Sequence, residues 1–431
     1  MALAIFLFTL LGHLIIWVGL ANRLHACSVP QWFNKLGSHF CHLCLLFLPF
    51  VIAVYELSDG EPPQSRNPMF ARAGLPSLYY VYCWAAAGIY LPWWLAWRLT
   101  ARTTPHQLQN RTTVIDVAKL LGRRPAGNNF GRIVSGLPGN QVFKLHVQEK
   151  ELLLPNLAAE LDGLSIAHVS DWHFKGRIDK PYFEEAVRAV NELNCDLIAL
   201  TGDFFDGLEF LDWIPDTFAK LRARHGVYFI LGNHDARHLL DVPARERLTA
   251  AGLLYLGQEP RTLEIRGQRV YLAGNERPWL PLSPKLLAAT TQAAQASPAH
   301  PPATNPPPKE HSPSKTKASS AHRPADASHP AHAPRSTLRI LLSHSPDQFR
   351  WAREHRFDLM LAGHTHGGQV RLPLIGAIYC PSWHGVKYAR GTFYKPPTLM
   401  HVTRGIGSEM PLRYNCPPEI AKLILRSPER V

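Results

Sequence analysis

The hydrophobic pattern divides the chain into two textures. Before residue 100, apolar residues run almost unbroken in three blocks: Met1 to Leu20, Phe40 to Leu57 and Leu78 to Trp97. Each is close to the roughly 17–25 apolar residues a helix needs to cross a bilayer. The pattern therefore predicts a transmembrane region over 1–97, with helices at 1–20, 40–57 and 78–97. The third block is dense in Trp and Tyr, which suit the membrane interface. The first lacks the positive amino-terminal region of a cleaved leader, and two further apolar runs follow it. From Leu161 onward the texture changes to short apolar runs alternating with amphipathic stretches. Residues 165–171, 196–203 and 226–235 read as buried strands, and 181–193 and 211–225 as helices. A β-α-β-α-β series of this kind requires parallel strands. Strands are also predicted at 338–344, 358–366, 398–405 and 421–427, with a helix near 347–355.

Two stretches carry neither period. Residues 98–160 read as a basic juxtamembrane linker. Residues 288–335 are rich in Pro, Ala, Ser and His, cannot bury a core, and are predicted to be a disordered insertion. Its five histidines (His300, His311, His322, His329 and His332) read as part of a solvated tract. The rest, 161–431, is predicted to be one catalytic domain.

Charge orients this arrangement. Between Arg98 and Lys144 eight basic residues stand against Asp116 alone, so this stretch contributes +7 of the net +13. By the positive-inside rule, that places the bulk of the chain in the cytoplasm beside anionic headgroups. Nucleic-acid binding is disfavoured, because the charge is juxtamembrane rather than spread over a folded face. The seven cysteines are scattered and imply no disulfide framework.

The chemistry sits where apolar strands end. Asp171-Trp172-His173 follows one strand, and Gly202-Asp203-Phe204-Phe205-Asp206 the next. Gly232-Asn233-His234-Asp235 follows a third, Ser343-His344-Ser345 a fourth, and Gly363-His364-Thr365-His366 a fifth. In extended chain, residues i and i+2 point to one side, so Asp171 and His173, like His364 and His366, can reach one ion. Ligands of α/β sheets bind beyond the carboxyl ends of strands. Crowding so many Asp, Asn and His side chains without a metal would leave costly unpaired polar groups.

The order D-x-H, GDxxD, GNHD, H, GHTH resembles the calcineurin-like metallophosphoesterase superfamily. The run 363–376 and the tail 402–425 are similar to its membrane-associated bacterial branch, which includes UDP-2,3-diacylglucosamine pyrophosphatases of lipid A biosynthesis and related phosphodiesterases. The resemblance implies a four-layer αββα sandwich behind the membrane helices, with two divalent metals about 3.5 Å apart. It places Asp171, His173 and His366 on the first metal, Asn233, His344 and His364 on the second, and Asp203 between them. His234 would donate a proton to the leaving oxygen and Asp235 would orient it. Asp206 is divided between a structural and a site role, and Lys175 and Arg177 read as surface charge. The mixed N/O donor set suits Mn²⁺, Fe or Zn²⁺ better than Mg²⁺.

The expected activity is hydrolysis of a phosphodiester or pyrophosphate in a lipid- or nucleotide-linked substrate, at the inner face of a bacterial cytoplasmic membrane. The expected partners are the lipid bilayer and that substrate. A membrane-tethered phosphatase for a soluble ester and a non-catalytic membrane scaffold are the competing readings. Retention of Asp203 and His234 weighs against the scaffold.

Overall fold

The computed structural model describes residues 2–58, 75–100, 104–237, 240–288 and 337–430. The Pro/Ala/His-rich insertion lies almost wholly outside them. Three long apolar helices open the chain: α1 (Ala2–His25), α2 (Gln31–Ser58) and α3 (Leu75–Thr100). Among the described residues, Leu3–His25 and Trp32–Ile52 are long and apolar enough to cross a membrane. The helix α3 falls short of that measure, because Tyr, Trp, Gly and Pro take the place of aliphatic residues along it. The helices α1 and α2 pack as an antiparallel hairpin. Trp17 meets Phe40 edge-on at 5.8 Å, and Ser38 bonds the His25 ring at 2.9 Å near the turn.

The remainder is built on two sheets. The first has strand order β1-β2-β15-β3-β4-β5-β6. Its strands are β1 (Gln107–Asp116), β2 (Lys144–Leu153), β3 (Ser165–Val169), β4 (Leu197–Thr201), β5 (Val227–Ile230), β6 (Leu254–Tyr255) and β15 (Glu419–Arg426). The second sheet has order β13-β14-β10-β9-β8-β7. It comprises β7 (Arg261–Ile265), β8 (Gln268–Asn275), β9 (Thr337–Ser343), β10 (Leu359–Ala362), β13 (Gly391–Lys395) and β14 (Thr398–Val402). The expected run of parallel strands is present in β3 to β6, and again in β8, β9, β10 and β14.

Period-two alternation sorts each strand's side chains between layers. Ile166, Ala199, Tyr228 and Ile230 meet Ile340, Leu342, Leu359 and Leu361 between the sheets. Ala167, Ile198, Leu200 and Phe229 face outward onto α6 (Lys180–Glu192) and α7 (Asp241–Ala250). Leu341, Met360 and Met400 face α8 (Phe349–Glu354) on the far side. Both faces of each sheet are covered, so these strands read as continuous apolar runs. The result is the expected α-β-β-α stack.

Two expectations need correction. Of the stretch 98–160 predicted as a linker, residues 104–160 are not one. The strands β1 and β2 pair over nine positions, and β2 joins β15, so this stretch is the edge of the first sheet. Between them lie α4 (Val117–Leu120) and α5 (Asn129–Ser135). The strand β1 was hard to read because it is an edge strand with almost every residue exposed, so it lacks an apolar face. The predicted helix at 211–225 is instead two 3₁₀ turns, Leu208–Asp216 and Phe218–Lys220. Pro215 cannot supply the backbone N–H an α-helix requires there.

One polar chain crosses the inter-sheet core. Thr201 Oγ1 lies 3.0 Å from His168 Nε2, whose Nδ1 is 2.8 Å from His401. The second nitrogen of His401 is 2.8 Å from Lys150 Nζ, which donates to Glu419 at 2.6 Å. Glu419 also accepts from Arg404 Nε at 2.8 Å. All are buried, and burial pushes the His168 pKa down to about 3. Breaking a buried ion pair from one side strands the opposite charge. Glu419→Gln should therefore lower unfolding free energy by about 3 kcal/mol, read as a shift in the denaturant midpoint of the detergent-solubilised chain.

Candidate metal centre

Each of the five motifs begins where a parallel strand stops, all at one end of the two sheets. The chain then turns sharply. Asp171, His173, Asp203, His364 and His366 have φ values of 56, 48, 57, 70 and 49°. Left-handed backbone at non-glycine residues costs on the order of 1–3 kcal/mol each, and such residues gather at functional sites. Here the turns swing five donor side chains into one buried space.

Hydrogen bonds lock the turns together. Asp171 N–H donates to Gly202 O and His173 N–H to Asp203 O, both at 3.0 Å. The Asp171 carboxylate accepts the His364 N–H at 3.1 Å, joining the first sheet to the second. Asp203 Oδ1 accepts the His234 N–H at 2.8 Å. That leaves Oδ2, which lies 3.2 Å from His344 Nε2 and 3.6 Å from His173 Nε2. Asp203 thus stands between two groups of donors. On one side His173 Nε2 is 3.1 Å from His366 Nε2, and His366 Nε2 is 3.5 Å from Asp171 Oδ1. On the other, His344 Nε2 is 3.1 Å from Asn233 Oδ1, and His364 offers its ring to the same space.

The arrangement suits cations. Three carboxylates of Asp171, Asp203 and Asp206 converge on it. Burial alone would lower the pKa of His173 and of His344, yet the carboxylates overcome it and hold both at about 9. Burial and neighbouring histidines push His364 and His366 well down, so those rings are neutral donors. His364 Nε2 is buried without a hydrogen-bond partner. Such an atom has a place only if it binds something else. Two N/O donor groups sharing one carboxylate fit a pair of divalent ions.

Residues 164–368 match the model of the calcineurin-like phosphoesterases. This part of the chain is a calcineurin-like metallophosphoesterase domain. The chain is 28% identical over 268 residues to phosphodiesterase YaeI of Escherichia coli, covering 60% of this chain and 81% of that one. It is 27% identical over 290 residues to the uncharacterized metallophosphoesterase YkuE of Bacillus subtilis, covering 64% and 83%. It is 25% identical over 288 residues to the UDP-2,3-diacylglucosamine pyrophosphatase LpxG of Chlamydia trachomatis, covering 62% and 85%. The metallophosphoesterase domain makes the chain a phosphoester hydrolase, and the family it belongs to depends on a dinuclear metal centre, for which these residues are candidate ligands.

The geometry reassigns two residues of the metallophosphoesterase site. Asp235 does not orient His234. Its carboxylate is taken by four backbone N–H groups: Asp203 at 2.7 Å, Phe204 at 2.8 Å, Gly232 at 2.9 Å and Phe205 at 3.1 Å. It clasps the β4 loop to the β5 loop. The orienting carboxylate is Asp206, whose Oδ1 is 2.6 Å from His234 Nδ1 and whose Oδ2 is 3.0 Å from His173 Nδ1. Sequence reasoning missed three more residues. Arg237 Nη1 lies 3.0 Å from His234 Nε2. Glu409 Oε1 lies 3.5 Å from that same nitrogen. Trp279 packs on the His364 ring at 4.7 Å. Arg237 was within reach of a longer reading of the GNHD motif, and Glu409 lies in the tail 402–425 that resembles the family branch, but no local pattern points its side chain at His234. Lys175 is also nearer than expected, 3.7 Å from Asp206 and 3.5 Å from Glu409.

Two outcomes follow. Metal must displace the protons that His173 and His344 hold below about pH 9. Apparent Mn²⁺ affinity should therefore fall steadily from pH 9 to pH 6. Calorimetry in buffers of different ionisation enthalpy should show proton release on binding. Asp206→Asn and Asp235→Asn should separate two roles. The first lowers turnover with metal retained. The second loses metal and lowers the melting temperature, because an amide N–H₂ turned toward backbone N–H groups repels them.

Proposed function

We propose that the chain hydrolyses a phosphodiester or phosphoanhydride bond in a lipid- or nucleotide-linked substrate, with UDP-2,3-diacylglucosamine the concrete candidate. The observation that carries the reading is His234, whose imidazole is held by Asp206 at the edge of the donor cluster with its Nε2 facing the rim. The relatives named as a phosphodiesterase and as a UDP-2,3-diacylglucosamine pyrophosphatase support the substrate class.

Asp171, His173 and His366 would hold one divalent ion, and Asn233, His344 and His364 the other, with Asp203 shared. Such a pair, when bound, supplies Lewis acidity and a water of lowered pKa. The residues then divide the remaining work. Asp206 fixes the His234 ring through Nδ1, so that Nε2 is the atom that delivers a proton to the leaving oxygen. The Arg237 guanidinium beside Nε2 receives the anionic phosphate. His344 Nδ1 donates to Thr201 O at 2.6 Å, which fixes its tautomer and aims Nε2 inward. Trp279 covers the His364 side and keeps water from it.

The transmembrane reading extends to three spans with the catalytic domain at the cytoplasmic face. The C-terminal end of α1 touches that domain, through Cys380 N–H to Asn22 Oδ1 at 2.8 Å. If α2 crosses away from the domain, the chain must return before β1, and α3 is the segment available to do so. The basic stretch after α3 then lies on the same side as that end of α1.

Purified full-length protein with Mn²⁺ should release UMP from UDP-2,3-diacylglucosamine. Hydrolysis of a generic aryl phosphodiester without UMP release would remove that substrate while leaving the chemistry. Asp203→Asn should reduce either activity by at least about 100-fold, measured as initial rate. Full turnover in that variant would refute the shared-ligand reading.

A further inference from the structure

The rim of the site carries a run of exposed apolar residues, and contiguous surface of that kind marks an interaction site. A short hairpin, β11 (Arg371–Leu372) and β12 (Gly376–Ala377), follows directly from the loop that bears His364 and His366. At its tip Leu374 is 88% exposed, with φ of 63°. A bulky apolar residue in left-handed backbone at a solvent-facing tip is costly twice over, in strain and in hydration. Ile375, Ile378, Tyr379 and Trp383 continue the exposed surface. The hairpin is part of the site, because a Cβ on Gly368 would strike Ala377 Cβ at 2.4 Å.

The same surface extends across the mouth. Met410 is exposed beside Glu409, the residue near His234 Nε2. The segment after it bonds back to the hairpin strand, with Arg371 N–H to Tyr414 O at 3.0 Å, and onward to the end of α5, with Tyr414 Oη–H to Pro138 O at 2.7 Å. There Phe130, Ile133 and Leu137 are exposed, Ile133 by 71%. Arg177 ties the two ends of this rim. It donates to Glu409 O and lies 4.7 Å over the Phe130 ring. Behind α5, Arg123, Arg124 and Arg132 line a cleft of about 440 Å³ in which Asp179 is the one carboxylate.

The position of α1 says what covers this face. Its C-terminal end rests on the same rim. Asn22 accepts from Cys380 N–H, and the His25 ring meets Tyr379 edge-on at 5.8 Å. The level at which α1 leaves the bilayer is therefore the level of the active-site mouth.

We infer that the mouth of the metal centre docks against the membrane, with the β11–β12 tip on one side and α5 on the other seated in the anionic headgroup layer. This rests on the reading of α1 and α2 as membrane helices and deepens the substrate assignment. The hydrolysed phosphate is one that a lipid presents in the headgroup plane, its acyl chains remaining in the leaflet. Tyr379 and Trp383 have the amphipathic rings that favour this depth. The arginine cleft supplies charge complementary to anionic lipid.

The test uses the full chain in nanodiscs of phosphatidylethanolamine and phosphatidylglycerol. An environment-sensitive fluorescent amino acid replaces Ile133, Leu374, Leu14 or Glu192, one at a time. Leu14 lies within α1, and Glu192 ends α6 at the pole opposite the site. Lipids bearing a quencher near the headgroup should remove about half the emission at 133 and 374, more than lipids quenching at the bilayer centre. Position 14 should show the reverse order and 192 no quenching. Quenching at 14 without quenching at 133 and 374 overturns the docking and leaves the membrane helices standing. Absence of quenching at 14 as well overturns the membrane reading on which the docking rests.

Discussion

The site depends on one carboxylate that touches no ligand atom. Asp235 gathers backbone N–H groups from two strand ends and holds them against each other. Without it, Asp203 and His234 would sit on independent loops. With it, the positive-φ turn at Asp203 is over-determined, and the carboxylate of Asp203 is free to face two imidazoles at once. Burial and the nearby Asp203 carboxylate push the Asp235 pKa up to about 7, and the four N–H groups oppose that rise by satisfying an anion that would be very costly unpaired. Strain at the donor residues and rigidity at the clasp are two aspects of one design.

A second layer of fixed charge stands behind the β3, β10 and β14 loops. Arg413, fully buried, donates to the carbonyls of His366, Arg404 and Gly407 and so holds the ligand loop from below. Gly405 lets the chain pass so close to Asp171 that a Cβ there would lie 2.6 Å from the aspartate's own. Glu419, at the start of β15 in the first sheet, secures Arg404 beyond the end of β14 in the second. The C-terminal segment therefore contributes no ligand to the cluster as described yet helps determine where His366 and Asp171 stand.

Much of this was legible in sequence for a physical reason. A parallel strand buried on both faces leaves an unbroken apolar run, and its end is marked by the first polar residues, so the donors were found where the runs stop. The stacked layers followed from the family resemblance and from alternating strands and helices. What could not be read was the partner of each donor. Asp235 is adjacent to His234 in sequence whereas Asp206 lies 28 residues away, yet the direction of the loops brings Asp206, not Asp235, to the ring. Strand β1 escaped notice because an edge strand held by main-chain pairing needs no apolar face. Glu409 and Trp279 arrive from distant loops that carry no periodic signal of their own.

The strand order has a consequence for biogenesis. The last strand in chain order, β15, is not an edge strand. It lies between β2 and β3 and pairs with both. During synthesis the first sheet stays in two pieces until residues 419–426 have emerged. Asn22, in contrast, is made early and waits 358 residues for Cys380, an interval of about 18–70 s at ordinary elongation rates. The apolar helices α1 and α2 are thus complete long before the last strand of the first sheet exists. The sheet that carries Asp171, Asp203 and Asn233 is therefore completed only when this last central strand closes it.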